Sequence, residues 1–194
     1  AIRLPNASWI MGRNAADSAN LNLLQVDTSD RPATFAGSGT ARPVLGGIIH
    51  TNTTAVGNVG LGQDTLMSYT LPANTLVNAG SFVRITAWFT TAANANVKTA
   101  LLFFGGTPLI SSNTGGYDNN LFYITAVVMR TGAATQEAIA VMMFDTTAGI
   151  EKRPYRTGPT ETLSGDIVIS GTGQTQTDVD NDIVQRGMVV EVFN

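Results

Sequence analysis

"VGNVGLGQDTLMSYTLP", residues 56–72, decides the fold class. Gly57, Gly60 and Gly62 crowd into six positions, as glycines do in loops that cradle a phosphate. Such a loop must open a helix, because the helix N-terminus supplies the aligned N–H groups that hold the anion. The residues after Gly62 have the period of a strand instead. Leu66, Ser68 and Thr70 alternate against Met67, Tyr69 and Leu71 until Pro72, and no Lys-Ser/Thr pair follows the glycines. The glycines therefore only turn the chain, supplying positive φ at no steric cost.

The same β pattern extends in both directions. Eight runs are rich in Val, Ile, Thr and aromatic residues: 43–50, 66–71, 82–90, 97–104, 121–130, 135–145, 165–171 and 183–193. Clusters such as "PANTLVNAG", "TAANAN", "FGGTP", "SNTGGYDNN" and "GTGQTQTDVDN" separate them. Many strands with Gly, Pro and Asn turns argue for a sandwich or barrel, and eight suit a jelly roll. The run at 135–145 also fits a short helix, but its Val-Met-Met-Phe core and its neighbours favour a strand. The expected fold is all-β, a jelly-roll-like antiparallel β-sandwich over residues 46–194, preceded by an extended N-terminal arm over residues 1–45.

One run carries more apolar surface than a sandwich needs. In "LFYITAVVMR" (121–130), Leu121, Tyr123, Val127 and Met129 share one face, and Phe122, Ile124, Ala126 and Val128 the other. A sandwich strand buries only one face. The second dry face predicts a subunit interface, with Val127, Met129, Val141 and Met143 at the axis of a homotrimer. Residues 1–45 read differently. Their apolar pieces, among them Trp9, Ile10 and Met11, then Leu21, Leu23, Leu24 and Val26, are short and broken by "RNAADSAN" and "DTSDRP". No local sheet covers them, so the segment reads as an arm or a β-rich docking piece. Trp9 and Arg13 are its natural anchors, since Trp and Arg dominate interface hot spots. "ADSANLNLL" fits a helical turn or two, although Asn20 and Asn22 form helices poorly.

Composition narrows the chemistry. The 194 residues are 43% hydrophobic and only 13% charged, with a net charge of −3. The surface is thus made polar by hydroxyls and amides. The eleven Lys and Arg form no basic run beyond "EKRPYR" at 151–156, which argues against nucleic acid as a partner. No apolar stretch is long enough to insert into a membrane, and the start lacks the regions of a signal peptide. Ala1 is what remains after an initiator Met is removed before a small residue, so the sequence reads as nearly complete. There is no cysteine, hence no disulfide framework, thiolate nucleophile or Cys-based metal site. Oligomerisation is the expected substitute for disulfides.

No catalytic constellation emerges. His50 is the single histidine, and no G-x-S-x-G accompanies it. Most acids sit in turns, where Asx turns explain them. "DVDND" (178–182) resembles the start of a calcium loop and then fails. Its sixth position is Ile183 instead of Gly and its twelfth is Val189 instead of Glu. Asp178, Asp180 and Asp182 read as a solvated acidic turn, with a cation as the alternative. Trp9 and Trp88 suit burial in a core or an interface better than stacking on sugar. The expectation is no enzyme, no hydrolase activity and no cofactor.

Two groups of residues carry a family resemblance. "LPNASWIMGRNAADSANLNLLQVDTSD" (4–30) resembles an N-terminal segment of structural proteins of tailed bacteriophages. "GNVGLGQDTLMSYTLPANTL" (57–76), "RTGAATQEA" (130–138) and "ETLSGDIVISGTGQTQTDVDNDIVQRGMVVEVF" (161–193) resemble the β-rich head domain of phage fibre and virion-surface proteins. The resemblance implies a homotrimeric β-sandwich on the virion surface, made in the bacterial cytoplasm, with no catalytic residues to carry over. A tail fibre or receptor-binding protein carries an adaptor and shaft before its knob. Here only residues 1–45 precede the sandwich, which favours a capsid decoration or head-fibre protein held by its arm. The implied partners are further copies of the chain and the major capsid protein. In the tail reading they are tail or baseplate proteins and a host surface glycan. A carbohydrate-binding module is the non-viral alternative.

Overall fold

The computed structural model describes the backbone of residues 9–13, 20–26, 32–35, 41–43, 47–114, 121–146 and 149–194, and the side-chain environments of 47–110, 121–144 and 153–194. All regular structure among these residues is β. The chain divides into two compact units, Ala1–Gly47 and Ile48–Asn194.

The first unit holds strands β1 (Trp9–Arg13), β2 (Asn20–Val26), β3 (Pro32–Phe35) and β4 (Ala41–Pro43), in the order β1-β2-β3-β4. Each pairs antiparallel with the next, so this is a meander. The expected extended arm is thus pleated into a sheet of its own, because its short pieces pair with one another. The run expected at 43–50 divides between β4 and the next strand.

The second unit comprises β5 (Gly47–Asn52), β6 (Val56–Gly57), β7 (Gly62–Leu71), β8 (Phe82–Thr91), β9 (Lys98–Phe104), β10 (Thr107–Thr114), β11 (Leu121–Arg130), β12 (Gln136–Thr146), β13 (Gly149–Thr157), β14 (Ile167–Thr175) and β15 (Ile183–Phe193). One sheet has the order β10-β9-β14-β7, the other β13-β12-β11-β8-β15-β5, with β6 also pairing β15. Taking β5, β7, β8, β9, β10, β11, β14 and β15 as first to eighth, one sheet runs first-eighth-third-sixth and the other second-seventh-fourth-fifth. That interleaving is the double Greek key of a jelly roll. The hairpin β12–β13 is inserted between the sixth and seventh strands and widens one sheet.

The core lies between the sheets and follows the two-residue period of the strands. In β8, Val83, Ile85, Ala87 and Phe89 are buried while Phe82, Arg84, Thr86 and Trp88 lie on the other face. In β11, Phe122, Ile124, Ala126 and Val128 are buried, and Phe122 stacks on Phe89 with ring centroids 5.0 Å apart. Leu102 and Phe104 from β9 and Ile169 from β14 meet them from the opposite sheet.

Two long strands of the second unit fall outside the eight sequence runs. Both β10 and β13 are sheet edges and both contain proline, Pro108 and Pro154. Proline removes a ladder donor and is tolerated only where no neighbour needs it. The exposed charge of Arg156 likewise disfavours stray pairing at the β13 edge.

Candidate interaction surface

The outward face of the wider sheet is built by register. Across β12, β11, β8 and β15, Met143 opposes Tyr123, Tyr123 opposes Trp88, and Trp88 opposes Gly187. In further rows Ile139 opposes Val127, which opposes Arg84, and Met129 opposes Phe82, which opposes Phe193. The four residues expected at a trimer axis, Val127, Met129, Val141 and Met143, are thereby gathered on adjoining strands. Tyr123 and Ile139 close the gaps between them. Ile139 is 60% exposed, Met129 39% and Val127 37%, so this is an uncovered apolar strip. Tyr123 Oη donates to Met143 Sδ at 3.3 Å.

Ion pairs flank the strip on both sides. Arg84 donates to both carboxylate oxygens of Glu191, at 2.6 and 2.7 Å, and its guanidinium lies 5.3 Å from the ring centroid of Phe193. Phe193 in turn stacks on Phe82 at 4.6 Å. The hydrogen bonds from Arg84 hold the Glu191 carboxyl below its ordinary pKa. On the other flank, Arg156 donates to Glu137 at 3.0 Å. The Arg156–Glu137 pair is exposed and contributes little stability of its own, whereas the bidentate Arg84–Glu191 pair is partly covered at Glu191.

Trp88 shares this face, half-buried on β8. It lies against Gly187, where a Cβ would overlap ring carbons Cζ2 and Cε2 and come within 2.7 Å of Cη2. The register shifts between Gln185 and Gly187, so Arg186 is an extra residue, and its Nε donates to Thr90 Oγ1 at 2.9 Å.

At one end of the sandwich three loops meet on a polar core. Asn58 is fully buried. Its Nδ2 donates to the carbonyls of Val179 (2.9 Å) and Gly60 (3.3 Å), and its Oδ1 accepts from the Ile183 N–H (2.9 Å). The glycine loop is locked to this residue. Val59 N–H donates to Asp64 Oδ2 and Gly60 N–H to Asp180 Oδ1, both at 2.8 Å. Gly60 needs its side chain's absence twice over: its φ is 59°, and a Cβ would lie 2.7 Å from Asp178 Oδ1. The loop therefore turns the chain and binds the 176–182 loop, while Val59 and Leu61 point to water.

Asp180 and Asp182 of "DVDND" have separate partners. Asp182 is buried and accepts from Asn94 Nδ2 and Asn96 Nδ2, each at 2.6 Å, and from Thr175 Oγ1 at 3.1 Å. Lys98, also fully buried, donates through Nζ to Asn94 Oδ1 (2.7 Å) and to the carbonyls of Asn94 (2.8 Å) and Asn96 (3.3 Å). Burial alone would raise the Asp182 pKa. The hydrogen bonds from Asn94, Asn96 and Thr175 and the charge of Lys98 outweigh it and hold the carboxyl below its ordinary range. Among the described residues no three His, Cys, Asp or Glu side chains are grouped as a metal site. His50 stacks on Tyr69 at 4.5 Å, and burial lowers its pKa, which leaves it neutral at pH 7.

The side chains of Trp9, Ile10, Met11, Arg13, Leu21, Leu23 and Leu24 lie outside the described residues. The backbone pairs Ile10 with Leu24 and Gly12 with Leu21 across β1 and β2.

No family model and no curated protein matches the chain. Among solved structures it is similar to the CBM2 module of the evolved Dit of Lactobacillus casei BL23 phage J-1, with a TM-score of 0.36 and 10% identity over 77% of this chain and 97% of that one. It is also similar to the VP2 subviral particle of infectious bursal disease virus, with a TM-score of 0.39 and 13% identity over 98% of this chain and 41% of that one. The Gt strain of that virus gives a TM-score of 0.37 and 13% identity over 90% and 42%. The chain thus spans about two-fifths of the length of the virus proteins. Scores this low carry no functional argument, and the fold assignment rests on the strand order itself.

Proposed function

We propose that this chain is a structural protein of a tailed-bacteriophage virion: a homotrimeric capsid decoration protein that docks through residues 1–30 and turns its jelly roll outward. The observation that carries the reading is the exposed strip of Tyr123, Val127, Met129 and Ile139, with the half-buried Val141 and Met143 beside it. Contiguous apolar surface of this kind marks an interface. Covering the exposed part of these side chains is favourable at about 25 cal/mol per Å² of apolar surface removed from water. With no cysteine in the chain, subunit contacts take the place of disulfides in a particle that must persist outside a cell. The phage resemblance of residues 4–30, 57–76, 130–138 and 161–193 supports the virion class.

In this reading Trp9, Ile10, Met11, Arg13, Leu21, Leu23 and Leu24 form the contact with the major capsid protein. Three docking segments per trimer bind with avidity, because the second and third contacts become intramolecular. One feature favours the alternative, a tail fibre or receptor-binding protein that meets a host surface glycan or a tail protein. Val59 and Leu61 are presented on a loop frozen by Asn58, Asp64 and Asp180, a pre-organised tip suited to contact. Imaging virions with a labelled antibody against the chain separates the readings. Label at capsid lattice points supports decoration, label on the tail supports the alternative, and unlabelled virions reject both.

A further inference from the structure

We propose that the loop end of the jelly roll modifies itself: the Lys98 amine attacks the side-chain amide of Asn94 and joins the two residues by an isopeptide bond, with Asp182 as the proton carrier. The contacts there bring together the groups such a reaction needs. Lys98 Nζ lies 2.7 Å from Asn94 Oδ1, one bond away from the carbon to be attacked. The Asn96 N–H donates to the same oxygen at 3.1 Å, which polarises the carbonyl and faces the charge that develops on it. Asp182 Oδ1 accepts from Asn94 Nδ2, the leaving nitrogen, at 2.6 Å. Asn96 Nδ2 and Thr175 Oγ1 donate to Asp182 Oδ2, at 2.6 and 3.1 Å, and fix the carboxylate. Backbone bonds hold the frame. Ala92 N–H donates to the Asp182 carbonyl at 2.9 Å, and Gln176 N–H to the Val97 carbonyl at 3.1 Å. Reactants held in this way need no encounter, which is a large part of the barrier to amide exchange in water.

Burial supplies the drive. Lys98 and Asp182 are both fully buried, and a charged pair out of water is costly. One proton passing from the ammonium to the carboxylate leaves both groups neutral and frees the lone pair of Nζ. That pair forms a bond to Asn94 Cγ, and the carbonyl π pair moves onto Oδ1. As it returns, the Cγ–Nδ2 bond breaks and its pair stays on Nδ2. Nδ2 takes the proton held by Asp182 and a second from the former lysine nitrogen, and departs as ammonium. The charge of Lys98 leaves with it, Asp182 is again a carboxylate, and no oxidant or cofactor is consumed. Until the bond forms, the site is the ionic network described above. A chain without cysteine gains a covalent staple at its loop end by this route, wherever it sits in a particle.

The test is the intact mass of the full wild-type chain, at isolation and after prolonged incubation at mildly alkaline pH, with tryptic peptide mapping. A fraction lighter than the sequence by one ammonia is expected to grow with time. In that fraction trypsin should fail to cleave after Lys98, so that residues 85–130 come off as one peptide. Lys98→Arg keeps a cation but has no primary amine, and it should retain its sequence mass. Asp182→Asn should convert at least about tenfold more slowly, since it cannot carry the proton. Circular dichroism verifies that each variant folds; if either does not, the wild-type mass and peptide map decide alone. Cyclisation of an asparagine onto its own backbone also releases ammonia but leaves the chain cleavable after Lys98. That pattern, or the same loss in Lys98→Arg, overturns the isopeptide bond. A folded wild type that keeps its sequence mass throughout overturns it as well. Conversion of Asp182→Asn at the wild-type rate overturns the role of Asp182 and leaves the bond standing.

Discussion

Replacing Asp182 with alanine tests whether the jelly roll's loop end is held by a buried ionic network. In the native chain the carboxylate accepts from Asn94, Asn96 and Thr175 at 2.6, 2.6 and 3.1 Å, and Lys98 lies beside it, equally inaccessible to water. The substitution takes away the carboxylate whose charge acts on the Lys98 ammonium, and the oxygens to which the Asn94 and Asn96 amides donate. Removing one partner of a buried pair costs about 3–5 kcal/mol, because the other charge stays buried. Against a total of about 5–15 kcal/mol for a domain, that is a large fraction. Urea unfolding of the full chain, followed by circular dichroism, should show a midpoint far below wild type with a similar slope. The double variant Asp182→Leu with Lys98→Met removes both charges and should recover part of the loss. A single-variant loss under about 1 kcal/mol would refute the reasoning, since a surface pair costs that little. A double variant no better than the sum of its parts would refute the attribution to charge.

The same network predicts acid lability. The folded-state pKa of Asp182 is depressed, so its contribution is fully present above the unfolded value of about 3.9 and is lost as pH falls through the folded value. Denaturation midpoints should therefore drop steeply below about pH 4 in wild type and less in Asp182→Ala. Gly173→Ala places a methyl 2.6 Å from Ile183 Cγ2 and 2.8 Å from Leu66 Cδ1, inside the core. Overpacking of this kind costs about 1–3 kcal/mol, readable as a lower melting temperature. Gln136→Ala removes a buried amide that both donates to the Glu161 carbonyl (2.9 Å) and accepts from its N–H (3.0 Å). It should cost about 1–3 kcal/mol and speed hydrogen exchange at Glu161. Deleting residues 1–30 should leave a trimer of similar stability that no longer coats virions. A trimer that falls apart while its subunits still bind would show that the segment is a staple and not the anchor.

Much of this fold is legible because strand period and turn chemistry agree locally. Leu66 to Pro72 reads as a strand on sight, and Gly60 reads as a turn residue. Its φ of 59° and its contact with the 176–182 loop give that reading a cause. The two long strands that the sequence pattern misses show where local rules fail. Residues 107–114 and 149–157 carry proline and, in the second, a run of charge, both of which argue against a central strand. They are strands because each pairs on one side only, and no local pattern distinguishes an edge from a loop.

The interaction surface is half visible in the sequence. Two-sided apolarity in 121–130 exposes Val127 and Met129 because an excess of hydrophobic residues needs no knowledge of neighbours. Trp88 carries a signal too: it shares parity with Arg84 and Thr86 in "FVRITAWFT", while Val83, Ile85, Ala87 and Phe89 fill the core. A tryptophan in step with an arginine belongs on the outer face, whatever its hydrophobicity suggests. Gly187 likewise advertises a bulge or a close backbone approach by interrupting a strand. That the two residues meet is not legible, since β8 and β15 become neighbours only through the Greek-key crossing. The Asp182 network has the same cause. Asn94, Asn96 and Lys98 lie near one another in sequence, but only the crossing of the loops brings "DVDND" to them, turning one apparently solvated acid into a buried one. Local chemistry thus writes the strands and the turns. The contacts that seat Trp88 on Gly187 and bury the charge of Asp182 are written by topology.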